Sequence, residues 1–384
     1  MANDFPKTAD IVIIGGGING VATAYYLAKS GRKNVILLEK NTVCSGSTGR
    51  CGAGIRAQWG LELNCRMALA CLDTFEHLDE ELGLPTGLNQ SGYIMVAYQE
   101  KEWSQFQKNV EVQHRLGIMS EVFTDFKRAR ELCPGFACED AIGFTFYQRD
   151  GHADPFLTTF AFQEAAKRYG AKFYKFTEVT GLTVEHGHIK GVKTNRGDIS
   201  CDCVVNCAGS WAQDVAAMAG IKLPNWAERH QIFITEPVEP GVCPPMLMSF
   251  SGNYYVQQRP HGSIIAGESP SGPRKIGYTS NVDPLASIAR VVLKLLPRTK
   301  NIRVVRQWAG RYDMTPDSAP ILGETDVKGF WHATGFSGHG FMLGPVSGQV
   351  MAALLNGTKP IIDPTIMDYH RFERGEKIVE PMVV

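Results

Sequence analysis

The sequence predicts a mixed α/β fold of two domains, and three observations carry the prediction. The first forty residues run strand, glycine turn, helix, strand. Helical and strand-like patterns alternate along most of the remainder. The length, 384 residues, exceeds the roughly 150 typical of one domain. Composition narrows the function. There are 39 basic and 39 acidic side chains, so the net charge is zero, and no basic run reaches five residues. That argues against a nucleic-acid binder. No stretch approaches the ~18 uninterrupted apolar residues of a membrane span. Glycine is the outlier, with 40 residues in 384, where about 7% is usual.

The opening MANDFPKTAD carries no basic-plus-apolar signal before the first strand, so no export sequence is expected. The ten cysteines are too few for a disulfide scaffold in a chain this long. Cys201, Cys203 and Cys207 fit neither zinc nor iron–sulfur spacing and read as buried thiols. A reduced, cytoplasmic protein is expected.

Asp10–Ile14 reads as an apolar strand, followed by Gly15, Gly16, Gly17, Ile18, Asn19 and Gly20. A helical pattern then runs to Gly31, and a second strand, Asn34–Leu38, ends on Glu39 and Lys40. This is a Rossmann-like unit with G-x-G-x-x-G at Gly15, Gly17 and Gly20. The first glycine permits the tight turn, the second lets backbone approach a pyrophosphate, and the third lets helix pack on strand. The helix N-terminus offers N–H groups and positive dipole to the phosphates, and Glu39 suits a ribose. Strand before, helix after and acid at the right distance make the motif specific.

A second small-residue loop spans Cys44–Arg56, with Ser47, Thr48, Gly49, Arg50, Gly52, Ala53 and Gly54 inside it. It suits backbone laid flat against a planar or phosphorylated group. A helix with Cys71, Phe75, Leu78 and Leu82 on one face follows, capped by Gly83. Gln99–Leu116 and Arg128–Leu132 read as helices, and Asp154-Pro155 as an N-cap plus N1 proline. Three strands are expected over 178–184, 189–194 and 199–206, the last ending at Asn206-Cys-Ala208-Gly209-Ser-Trp211. Residues 221–305 form a mixed region rich in aromatics, including Tyr254 and Tyr255. A strand at Phe330–Ala333 leads into Gly335–Gly344, a third glycine loop, and a last helix. Twelve glycines fall in the three loops.

Only one strand–G-x-G-x-x-G–helix unit is present. Either the chain binds NAD alone, or it binds FAD and takes electrons from its substrate. The meander before the return at Asn206–Gly209 and the late glycine loop favour FAD, whose length calls on loops far apart in sequence. The segments GGGINGVATAYYLA, LLEK, GSTGRCGAGIR, VVNCAGSWA, MTPDSAPILG and GFSGHGFMLGP resemble the D-amino-acid-oxidase-like FAD oxidoreductases. Within that family the pattern is most similar to the beta subunits of heterotetrameric sarcosine oxidase and dye-linked proline dehydrogenase. The flavin subunits of opine oxidase and hydrogen cyanide synthase are similar too.

The resemblance implies an FAD-binding domain of residues 1–85, 141–220 and 306–384, and an antiparallel-sheet substrate domain of residues 86–140 and 221–305. Gly15, Gly17 and Gly20 would hold the pyrophosphate, with Ile18 and Asn19 between them, and Glu39 and Lys40 would flank the ribose. Ser47–Gly54 would line the isoalloxazine. Val179 would touch the adenine, and Ala208, Gly209 and Trp211 would close that side. Gly335, Ser337, Gly338, His339, Gly340, Phe341 and Met342 would bring backbone N–H groups to the flavin pyrimidine. Arg56 falls where a carboxylate-binding arginine is expected, and Arg311 is a second candidate, one position out of register. One of Tyr254 and Tyr255 would face the substrate, since adjacent strand residues point apart. His339 would sit by the flavin, bonding it, shuttling a proton or simply packed.

The implied activity is oxidation of the C–N bond of a small amino acid or secondary amino acid, by hydride transfer to flavin N5, giving an imine. Gly310 stands where a relative attaches FAD through cysteine, so non-covalent FAD is expected. Ile265 and Met342 replace lysines of that pattern, and losing those cations removes stabilisation of superoxide. Electrons are therefore expected to pass to a partner subunit, dye or quinone. The alternatives are a peroxide-producing oxidase and a flavin-bearing assembly subunit.

Overall fold

The computed structural model describes residues 5–137, 139–270 and 276–381. Its first layer is a six-stranded sheet in the order Ile321–Glu324, Phe330–Thr334, Val204–Asn206, Ile11–Ile14, Val35–Leu38 and Lys172–Tyr174. The pairings are parallel except at the first edge. Ile11–Ile14 and Val35–Leu38 are buried throughout, as a parallel sheet covered on both faces requires. Helix Ile18–Lys29 covers one face with helix Gly340–Asn356 against it. The two approach closely because Gly348 and Gly344 lie in the contact: a Cβ on Gly348 would sit 2.7 Å from the Ala22 backbone.

The second layer is an eight-stranded sheet, ordered Val304–Met314, Trp226–Pro237, Ser263–Glu268, Tyr254–Gln258, Met246–Ser249, Tyr93–Ala97, Gly143–Tyr147 and Glu121–Phe123. It is antiparallel except where Met246–Ser249 meets Tyr93–Ala97. The expected segment boundaries at 140/141 and 305/306 differ from this sheet. Gly143–Tyr147 pairs with Tyr93–Ala97, and Val304–Met314 pairs along Trp226–Pro237. Both strands therefore join the larger sheet rather than the nucleotide-binding layer. The expected strand 199–206 is two: Ile199–Ser200 closes the meander with Val179–Glu185 and His188–Thr194, and Val204–Asn206 enters the parallel sheet.

Local signals act where the sequence places them. Asp154 accepts from the Phe156 and Leu157 N–H groups and caps helix Pro155–Arg168. Helix Glu62–Leu82 ends on Gly83 in the left-handed region. Cys201 and Cys207 are buried free thiols and Cys203 a half-buried one. Among the described residues no helix is long and apolar enough to cross a membrane.

The junction of strand, turn and first helix leaves no room for a side chain. A Cβ on Gly20 would lie 2.0 Å from the Gly15 carbonyl oxygen, a backbone atom that cannot step aside. Gly20→Ala is therefore expected to destabilise the protein by about 1–3 kcal/mol, read as a lower urea midpoint with weaker cofactor retention. An unchanged midpoint would contradict this packing.

Candidate active site

The three glycine loops meet around one cavity of about 520 Å³ between the two sheets. At one end the first turn lies against the return strand. Gly15 has φ +113°, and a Cβ there would lie 2.4 Å from the Cys207 carbonyl oxygen. Gly17 is the N-cap of helix Ile18–Lys29 and has no side chain to fill the space before the helix. The Ile18 N–H donates to Thr48 Oγ1 at 3.2 Å. Asn19 donates to the Gly340 carbonyl at 3.3 Å, joining the first loop to the third. Glu39 accepts from the Gly16 N–H at 2.7 Å and the Asn41 N–H at 2.8 Å, so its carboxylate stands at the end of the second strand, facing the turn. Lys40 stacks on Trp211 at 3.6 Å, and Val179, Ala208 and Gly209 complete this wall. A bare helix N-terminus, a backbone cradle that a Cβ would fill and an acid at the ribose position fit the diphosphate and ribose of FAD.

The middle of the cavity is built by the second and third loops. Ser47 donates through Oγ to the Arg311 carbonyl, and Trp308 donates through Nε1 to the Arg50 carbonyl at 3.0 Å. Arg50 stacks on Tyr278 at 4.3 Å and Arg311 on Trp211 at 4.6 Å. Gly310 lies on the same wall, next to Arg50. The third loop is held from below by Asp313. Its carboxylate accepts from Asn225 Nδ2 at 2.6 Å, Thr334 Oγ1 at 2.5 Å and the Gly335 N–H at 2.6 Å. Its carbonyl accepts from the Ser337 N–H at 2.8 Å. This bracket fixes the turn that presents Ser337, Gly338, Gly340 and Phe341 to the cavity.

A second group, Arg56, Trp59 and His339, is not on the cavity wall and packs behind the third loop. His339 lies between cavity-lining Gly338 and Gly340, and its ring packs edge-on to Trp59 with centroids 4.6 Å apart. The Arg56 guanidinium lies 4.2 Å over that indole. Arg56 is 3% exposed; its Nη1 donates to the Gln58 carbonyl at 2.9 Å, while Nη2 is buried without a hydrogen-bond partner. Burial pulls the Arg56 pKa below its usual value, against the attraction of Tyr93, Glu380 and Asp150. Burial, with Arg56 adding, holds the His339 imidazole down to about 3, so it is neutral at physiological pH.

The structure separates residues that the sequence groups together. Tyr255 lines the cavity and packs against Gly52. Tyr254 points to the opposite face, into the core, and its hydroxyl meets that of Tyr98 at 2.7 Å. It is not part of the site. Met342 is 2% exposed in the core under the last helix, one position too far round to reach the cavity. Ile18 and Ala53 are likewise core side chains. Gly49, Gly54 and Gly335 are not on the cavity wall; they pack against Cys44, Tyr93 and Thr315 respectively. Arg311 lies beside Trp211 and Lys40 at the nucleotide end, so it does not share a pocket with Arg56. Residues the sequence reading did not single out include Asp313, Trp59, Tyr278, Asp150 and Glu380. Asp313 stands immediately before MTPDSAPILG and Trp59 three residues after Arg56, so both lay within reach of a motif; Tyr278 and Glu380 had no such signal.

Fold and cavity together define a flavin-dependent oxidoreductase. Comparison with known proteins assigns the family: residues 10–354 match the DAO model, FAD dependent oxidoreductase, and the chain belongs to that family. A similar relative is sarcosine oxidase subunit beta of Rhizobium meliloti (strain 1021), 28% identical over 97% of this chain and 90% of that protein. Human mitochondrial sarcosine dehydrogenase is 28% identical over 96% of this chain but only 42% of its own length. Among solved structures, L-proline dehydrogenase from P. horikoshii superposes with TM-score 0.93 and 38% identity, over 97% of this chain and 100% of that one. Glycine oxidase from Geobacillus kaustophilus, at 23% identity and TM-score 0.87 over 95% of this chain and 99% of that one, shares the fold.

The Asp313 bracket is directly testable. Asp313→Asn places an amide N–H₂ among three donors, which costs about 1–3 kcal/mol and should appear as faster FAD loss on dilution. Burial also raises the Asp313 carboxyl from 3.8 to about 6. The folded protein thus holds this proton more tightly than the unfolded chain, and the stability it contributes is complete below pH 3.8 and lost as pH rises through 6. The wild type should therefore lose ground against Asp313→Asn over that window in thermal unfolding. Parallel pH curves with equal FAD retention would refute the bracket.

Proposed function

We propose that the chain oxidises the C–N bond of a small amino acid or secondary amino acid whose carboxylate seats on Arg56. The buried, unpaired Nη2 of Arg56 carries this reading. A guanidinium is a bidentate carboxylate receptor, and one removed from water without a counter-ion is poised to gain from an anion. The relatives support the substrate class, since their names include sarcosine, proline and glycine.

FAD, when bound, supplies the two-electron acceptor. The chain's own residues bind and orient. Arg56 fixes the carboxylate, and Trp59 backs the guanidinium so that it cannot swing away. Tyr255 closes the cavity wall opposite the second loop. His339 is neutral, so it adds no positive charge beside Arg56 and does not hold the substrate amine protonated. The amine must reach the site unprotonated to release electrons; its Cα hydrogen leaves with the bonding pair, its N–H proton is lost to solvent, and an imine results. Water then hydrolyses the imine unless it is a stable cyclic one.

An anaerobic screen of flavin bleaching with sarcosine, proline, glycine and D-amino acids tests the assignment. At least one should bleach the flavin, and Arg56→Ala should weaken that substrate about 100-fold, the loss of a charge-assisted bidentate contact. Bleaching by none, or an unchanged KM in the variant, would overturn it. The rate should also rise with pH along the substrate amine's own pKa, and the limb should keep its position in His339→Asn. A limb that vanishes in that variant would make His339 the titrating base.

Electrons are proposed to leave to a partner subunit, dye or quinone rather than oxygen. Support comes from the beta-subunit naming of relatives and from Ile265, apolar where the resemblance to the oxidases implies lysine. Reduced protein mixed with air should stay bleached for minutes. Recovery within about a second, in the range of ordinary enzyme turnover, would make it an oxidase.

A further inference from the structure

Arg56 stands at the head of a six-residue turn, Arg56–Leu61, that leads into helix Glu62–Leu82. Two buried carboxylates from distant parts of the chain hold this turn. At its start, Asp150 Oδ1 accepts from the Ala57 N–H at 2.6 Å, and Oδ2 accepts from Gln58 Nε2 at 2.9 Å. Gln58 is fixed in turn by Thr145, whose hydroxyl donates to Oε1 at 2.6 Å. At its end, Glu380 Oε1 accepts from the Gly60 N–H at 2.8 Å. Glu380 Oε2 accepts from the Leu61 N–H at 3.2 Å and from Asn64 at 2.7 Å. Between the two grips, Trp59 donates through Nε1 to the Arg56 carbonyl at 2.8 Å, and its own carbonyl accepts from Gln113 at 2.8 Å.

Leu61, the N-cap of helix Glu62–Leu82, makes no side-chain cap bond. Glu380 accepts from the N–H groups of Gly60 and Leu61, just before the helix, and from the Asn64 side chain in its first turn, and a carboxylate at that end complements the helix dipole. The tail that brings Glu380 there is pinned by its Ile378 N–H, which donates to Asp317 at 3.1 Å. Asp317 is itself in a buried ion pair with Arg371 at 2.9 Å.

We propose that Asp150 and Glu380 are positioning residues for substrate binding: gripping the two ends of the turn, they hold Arg56 in place without pairing with it. This rests on the reading of Arg56 as the carboxylate anchor. Both carboxylates accept from N–H donors of the turn and its helix, and among the described residues neither forms an ion pair with Arg56, whose Nη2 has no partner. Glu380 attracts it through space, and Asp150 does so in its ionised form, burial having raised its carboxyl to about 7; both offset part of the cost of burying the charge. A direct ion pair would have to break before substrate could bind; this arrangement leaves Nη2 open.

The test uses the full-length, FAD-loaded protein and propionate, a carboxylate without an amine, titrated against the flavin absorbance spectrum. Wild type should bind it, and Arg56→Lys should weaken it. Glu380→Gln and Asp150→Asn should each weaken it about tenfold, while in the Arg56→Lys background the same changes should add less than about twofold, because they act through Arg56. The limiting rate of anaerobic bleaching by the best amino acid should fall by less than the affinity does in both single variants, since the carboxylate contact is made in ground and transition state alike. If Arg56→Lys weakens propionate but neither Glu380→Gln nor Asp150→Asn does, the positioning role is overturned and the anchor stands. If Arg56→Lys itself has no effect, the anchor reading fails. Should Glu380→Gln lose its fold or FAD, Asp150→Asn decides alone, from the opposite end of the turn.

Discussion

Removing a guanidinium from water costs several kcal/mol unless the surroundings return the lost interactions. Arg56 is buried, bonded at one nitrogen, backed by an indole and left open at another. Much of the structure around it serves that unfinished solvation. Carboxylates lie near enough to attract it yet are occupied elsewhere, and a neutral imidazole adjoins it where a charged one would repel. In the proposed reading a small anion would complete the shell, and a small zwitterion would do so while bringing an amine with it.

The cofactor end obeys a different constraint, closeness of backbone. Gly15 against Cys207, Gly20 against Gly15 and Gly348 against Ala22 are contacts that any side chain would break. They draw the first turn, the return strand and the last helix into one wall. The glycine surplus in the sequence is the visible trace of this packing, and it supplies both the nucleotide cradle and the third loop that Asp313 brackets.

Local physics made much of this legible. The first strand–turn–helix–strand unit, the Asp154-capped helix and the last helix are written in short-range patterns, and the structure places them where those patterns fall. Sheet membership is a long-range property and did not show. Nothing within Gly143–Tyr147 or Val304–Met314 says which sheet will take it; that is decided by Tyr93–Ala97 and Trp226–Pro237. The alternation at Tyr254-Tyr255 told that only one points inward but not which. Arg56 was singled out by the resemblance, from its place at the end of the second glycine loop. Asp150 and Glu380 were not, because each meets the Arg56 turn from far along the chain.

The central claim is that one buried arginine selects for a carboxylate. It is tested by comparing amino acids with the same amines stripped of their carboxylate, sarcosine with dimethylamine and proline with pyrrolidine, as reductants of the flavin. The account predicts a strong preference for the amino acid in the wild type that collapses toward parity in Arg56→Ala. A preference of the same size in both proteins would contradict it.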